Sequence, residues 1–276
     1  MTRILGVHGI WNIRYYTRNQ RSASAATDAI SAAWARALTE GTDASADLRV
    51  CFYAHQLDRG AAQSADDAAL LEDGAQDVLI AWADLLNAGA AHAQGGRTAR
   101  ARAAADWLSA RYPDLARRSV LAFCRELHTY QSARARRDAI IGSLRGALLE
   151  HRPEVLVAHS LGSVVAYEAL WSEPAVELDC LITLGSPLAM PGVVFDRLSP
   201  SPDAGRGMRP PGVRRWLNFA DVGDIVAVPP RLSGRFAGVE KDVELSVGDW
   251  QFHAVRSYLS TGEVRAALRE FLNPAA

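Results

Sequence analysis

Lysine is almost absent from this chain of 276 residues; Lys241 is the single one among 30 Lys and Arg. The positive charge is therefore arginine, scattered through alanine-rich stretches and balanced by 31 Asp and Glu to a net charge of −1. Without a basic block the chain offers no electrostatic footprint for a phosphate backbone, so nucleic acid is not an expected partner. The densest runs, Arg97-Thr-Ala-Arg-Ala-Arg102 and Arg134-Ala-Arg-Arg137, read as solvated helix faces. Long hydrophobic runs are missing too. No apolar stretch approaches the roughly twenty residues needed to cross a bilayer, and the N-terminal strand is too short, with too little positive charge before it, for an export signal. Cysteine is scarce: Cys51, Cys124 and Cys180 are widely spaced, which argues against a disulfide framework or a thiolate metal site and for buried thiols. These absences lead to the expectation of a cytoplasmic protein with no metal and no membrane partner.

What is present is concentrated at residues 155–165, Val-Leu-Val-Ala-His-Ser-Leu-Gly-Ser-Val-Val. An apolar strand ends on a serine between small residues and turns at once into a helix. A serine hydroxyl is a weak nucleophile at neutral pH, so it must stand clear of the backbone, face a base and lie near amide donors. A tight strand-to-helix turn does this and crowds the positions two residues either side, which fits Ala158 and Gly162 around Ser160. The chain opens Ile4-Leu-Gly-Val-His-Gly-Ile-Trp11; later come Thr183-Leu-Gly-Ser-Pro187, Asp221-Val-Gly-Asp224 and Asp249-Trp-Gln-Phe-His253. Serine, acid and histidine follow one another in the chain order of an α/β-hydrolase triad.

The surrounding pattern reads as one α/β domain over 1–276, with a mostly parallel central sheet flanked by helices. Strands are expected at 2–8, 47–54 and from 155, then at 180–188 and 215–220. Helices are expected at 22–40, where Ile30, Ala33, Trp34, Ala37 and Leu38 recur at helical spacing, at 132–150, and from about 261. Residues 58–131 form a helical insertion whose stripe comprises Leu70, Leu71, Val78, Leu79, Trp82, Leu85 and Leu86. Long insertions of this kind sit over the carboxyl ends of strands, where ligands bind, so a cap is expected. Residues 191–213, rich in Pro and Gly, suit a surface loop beside the pocket.

In its motifs the chain resembles the α/β-hydrolases of lipase and esterase type. Val-His-Gly-Ile at 7–10 with Ala-His-Ser-Leu-Gly at 158–162 is similar to small bacterial lipases that carry alanine at the first elbow position. The resemblance covers residues 2–12, 46–55 and 138–272 and leaves out 58–131. It implies Ser160 as nucleophile and His253 as general base. Asp221 and Asp224 both follow a strand, and either could orient the imidazole; the lipase-like Asp-x-Val pattern followed by proline favours Asp224, with Asp221 capping the turn. The backbone amides of Leu161 and Ile10 would form the oxyanion hole, and Gly9 would let the backbone approach. Trp11, Tyr15, Tyr16 and His55 fall beside the pocket as candidate substrate-binding residues. His159 should pack rather than react.

The expected reaction is hydrolysis, through an acyl-enzyme and without a cofactor, of a carboxylic ester of a medium-sized, partly apolar small molecule. The same triad serves amide and thioester hydrolysis, acyl transfer and cyclisation, and a fold of this kind can also bind ligands without chemistry. The apolar insertion helices could equally pair two subunits.

Overall fold

The computed structural model describes residues 2–40, 47–58, 67–86, 96–112, 117–247 and 253–272. Its frame is a six-stranded sheet of β1 (Arg3–Val7), β2 (Asp47–Cys51), β3 (Val155–His159), β4 (Leu178–Leu184), β6 (Val213–Asp221) and β8 (Lys241–Leu245). The spatial order is β2-β1-β3-β4-β6-β8, and every neighbouring pair runs parallel. A parallel sheet needs cover on both faces, so its central strands carry buried apolar residues on both sides. All five residues of β3 are buried, whereas the edge strands β2 and β8 expose residues to solvent. A short parallel pair, β5 (Gly207–Met208) with β7 (Phe236–Ala237), stands apart within the expected 191–213 loop and the segment after β6.

Successive residues of a strand face opposite sides, and the core divides accordingly. Leu5, Val7, Leu156, Ala158 and Leu181 pack on one face under α4 (Asp73–Leu86), α5 (Arg97–Arg111), α6 (Arg117–Ser132), α7 (Arg134–His151) and α8 (Leu161–Ser172). Ile4, Val155, Val157, Cys180 and Ile182 pack on the other, under α2 (Ala23–Thr39), α9 (Val255–Ser260) and α10 (Gly262–Leu272). Cys51, Cys124 and Cys180 are buried free thiols, and burial pushes Cys51 and Cys180 up to about 12.

The chain leaves β1 for β2 on one side and returns to β3 on the other. At such a reversal the connections diverge and open a crevice at the carboxyl ends of the strands. Residues 8–12, following β1, and 160–162, following β3, meet there.

Several elements differ from expectation. The polar stretch after β1 contains a short helix, α1 (Ile13–Arg18), with no buried residue and hence no apolar stripe to announce it. Strand β2 stops at Cys51 because β1 offers no further partner, and Tyr53 instead donates its amide to His8 Nε2 at 3.1 Å before α3 (Ala54–Leu57) begins. Within the expected insertion Val78, Leu79 and Trp82 are buried as anticipated, but Leu70 is 64% exposed, on a 3-10 turn ahead of α4. Parts of that insertion, 59–66, 87–95 and 113–116, lie outside the described residues. No helix among the described residues is long and apolar enough to cross a membrane.

Candidate active site

Ser160 joins β3 to α8 with φ 54° and ψ −130°, a backbone conformation that costs a non-glycine residue about 1–3 kcal/mol. Close packing imposes it. A Cβ on Gly162 would lie 2.3 Å from the carbonyl oxygen of Val7, and one on Gly9 would lie 2.5 Å from Ser160 Cβ. The turn is also tied from below: Ser160 N donates to Leu184 O at 3.0 Å, and Ser163 Oγ donates to Ser160 O at 2.6 Å. Since the Ser163 proton is thereby committed, Ser186 Oγ, 2.7 Å away, is the donor in the pair they form.

His253 Nε2 lies 2.7 Å from Ser160 Oγ, and its Nδ1 lies 2.7 Å from Asp224 Oδ2. Asp224 is 3% exposed, and a buried carboxylate needs donors. It has three: His253, the Tyr258 hydroxyl at 2.7 Å, and the amide of Val226 at 2.9 Å. Gly185, at φ 53°, makes room for this arrangement, since a Cβ there would approach Asp224 Oδ2 to 2.7 Å. Asp221 plays the other part. Its oxygens accept the amides of Gly223 and Val247, capping the turn, and its own amide donates to the Tyr258 hydroxyl at 3.0 Å. Burial, reinforced by the charge of Asp224, holds the Tyr258 phenol far above its ordinary pKa, so it stays a donor.

The loop after β1 is held from three directions. His8 Nδ1 lies 2.7 Å from Gly9 O while His8 Nε2 accepts from Tyr53 N, an arrangement that requires the neutral Nδ1-H tautomer. Burial draws the His8 pKa down to about 4, consistent with that form. Asn12 Nδ2 adds bonds to Gly9 O and Ile10 O, both at 2.9 Å. The Gly9 carbonyl and the Ile10 amide belong to one planar peptide and point opposite ways. Anchoring the carbonyl therefore fixes the direction of the amide. Leu161, the first residue of α8, likewise has an amide with no intrahelical acceptor.

Three contacts escape sequence reasoning. Trp11, at φ 67°, donates its amide to Glu126 Oε1 on α6 at 3.2 Å. Glu126 is buried, and burial raises its pKa to about 7. Trp82 on α4 donates its indole N–H to Ile225 O at 2.9 Å, beside the acid. His159 does pack as expected, but against His253: the ring centroids are 4.9 Å apart, and Nε2 lies 3.0 Å from His253 O. Burial, with the neighbouring His253, keeps the pKa of His159 well below the usual imidazole range.

A cavity of about 790 Å³ opens alongside, lined by Ile10, Trp11, Tyr15, His159 and His253 among others. Tyr16 and His55, expected beside the pocket, are not in its lining. They stack on each other at 5.3 Å and against Phe52, because Tyr16 is rotated about 100° around α1 from Tyr15. Ser160 itself has no exposed surface. Among the described residues no three His, Cys, Asp or Glu side chains are grouped to hold a metal ion. The fold is α/β with a parallel six-stranded sheet, and the chain matches no protein-family model, no curated protein and no solved structure.

Proposed function

We propose that the protein is a serine hydrolase of the α/β-hydrolase kind, cleaving a carboxylic ester of a medium-sized, partly apolar small molecule, with α4–α6 acting as a cap. One observation carries this reading: the continuous chain Asp224–His253–Ser160, with both links at 2.7 Å, ending on a serine in a strained strand-to-helix turn. In the proposed reaction His253 Nε2 takes the Ser160 proton as Oγ bonds to the ester carbonyl carbon. The carbonyl electron pair moves onto oxygen, where the amides of Ile10 and Leu161 receive it. Collapse expels the alcohol, which takes the proton from His253, and water repeats the sequence to release the acid. Asp224 orients the imidazole and stabilises its charged form. The apolar side chains of Trp82, Val120, Phe123 and Val226 in the cavity lining support a partly apolar substrate.

Ser160 is closed off, so a substrate carbonyl reaches Oγ only after lining side chains are displaced. That burial is also the one observation favouring a second reading, a hydrolase-like fold that binds a ligand without chemistry. A fluorophosphonate probe separates the two. The hydrolase reading expects an adduct located on Ser160 by mass spectrometry and absent in Ser160→Ala, with ester turnover reduced about 10⁴-fold in Asp224→Asn. A folded wild type that neither labels nor turns over esters would overturn the ester-hydrolase reading and favour the binding one.

A further inference from the structure

Resting on the hydrolase reading, we infer that the cavity selects esters bearing an anionic group away from the scissile bond. The cavity beside His253 is lined unevenly. Residues from α4 and α6 are mostly apolar, Trp82, Val120 and Phe123, whereas α1, α2 and α9 bring Arg14, Arg36 and Arg256 among apolar neighbours; the single carboxylate residue of the lining, Glu40, follows α2. Arg256 and Glu40 pair with each other at 3.3 Å. Arg14 stands over the Tyr15 ring at 5.5 Å, and among the described residues neither it nor Arg36 has a carboxylate partner. Two positive charges from separate helices thus converge on one cavity in a chain whose net charge is only −1. Guanidinium is weakly hydrated, always charged, and matched in shape to a carboxylate. The apolar residues of α4 and α6 accommodate the hydrocarbon part of such a substrate, and the arginines its charge.

The test uses matched ester pairs on the purified full chain: 4-butyryloxybenzoate against its methyl ester, which places the charge on the alcohol side, and mono-4-nitrophenyl adipate against 4-nitrophenyl hexanoate, which places it on the acyl side. The expected result is a kcat/KM preference of about tenfold or more for the anionic member of at least one pair. That preference should fall about three- to tenfold in Arg14→Gln or Arg36→Gln, and also in 0.5 M salt, since exposed charges are screened. Preferences near one in both pairs, or a preference unchanged in both variants, would overturn the inference. The neutral fluorophosphonate keeps the two failures apart. Labelling of Ser160 with no anion preference removes only the charge selection; neither labelling nor turnover removes the hydrolase reading and this inference with it. If Ser160 labels but no ester turns over, protection from labelling by adipate against dimethyl adipate becomes the readout, with the same expectation.

Discussion

The strand-end loops around Ser160 and the helical segment α4–α6 are held together by different physics. At the strand ends, position after position is fixed by contact at the limit of steric tolerance: Gly9 against Ser160, Gly162 against the carbonyl of Val7, Gly185 against Asp224. Each admits one kind of residue. The helical segment instead buries small and branched residues such as Ala101, Ala105, Leu108 and Leu121 and decorates its surface with ion pairs, Arg97 to Asp73 and Asp77 and Arg102 to Asp67. Exposed pairs of this type contribute about 0–1 kcal/mol each, and apolar packing accepts many sequences of similar volume. Two hydrogen bonds join these regions, a partly buried one from Trp11 to Glu126 and a buried one from Trp82 to Ile225. They attach the tolerant segment to the loop bearing Ile10 and to the loop bearing Asp224.

The largest expected effect breaks the steric side of this contrast. Gly162→Ala drives a Cβ into two backbone carbonyl oxygens, those of Val7 and His8, and neither can rotate away as a side chain would. Chemical denaturation should show a loss of about 3 kcal/mol. Turnover should fall about 100-fold, since the displaced turn misaligns Ser160. An unperturbed Gly162→Ala variant would refute the close-packing account of the turn at Ser160.

Glu126 sharpens the link between the regions. Its folded pKa, raised to about 7 from 4.5, means that the native state holds a proton which the unfolded chain has already released. Its contribution to stability is therefore full below pH 4.5 and is lost as pH rises through 7. Glu126→Gln keeps an oxygen to accept from Trp11 N but cannot ionise. The variant should match the wild type near pH 4 and exceed it above pH 7, by up to about 3 kcal/mol. Thermal unfolding at both pH values checks the sign; equal stability at pH 8 would show that burial of Glu126 carries no electrostatic penalty.

The smallest effect comes from a glycine without a steric role. Gly146 lies within α7 with open space where a Cβ would go. Gly146→Ala should raise stability by about 0.5–1 kcal/mol through helix propensity alone, leaving turnover unchanged. A loss of stability there would erase the distinction between glycines required by contact and glycines merely present.

Much of the frame was legible. The apolar runs at residues 3–7 and 155–159 had to be strands, the stripe of Ile30, Trp34 and Leu38 marked α2, and the small-residue pattern around Ser160 marked a tight turn. Weaker local signals failed: α1 has no fully buried residue, and β2 ended early because its partner strand did. In the candidate site, chain order narrowed the histidine to His253 and the acid to Asp221 or Asp224, and the lipase-like Asp-x-Val pattern favoured Asp224; what the structure adds is the contact of Asp224 with His253 while Asp221 caps the turn. Tyr258, Glu126 and the packing of His159 against His253 carry no sequence signal, and Tyr16 and His55 were expected at the pocket only from their positions in the chain after β1 and β2.

The division follows from the range of the forces. Sequence by itself determined what neighbouring residues impose on one another: strand alternation, helix periodicity and the steric demand for small residues beside a turning serine. Only the tertiary structure decided which distant groups meet. Trp11 and Glu126 are 115 positions apart, and Ser160 and His253 are 93 apart. Such contacts exist because a parallel sheet brings the carboxyl ends of remote strands to one edge, where burial then requires each polar group to find a partner.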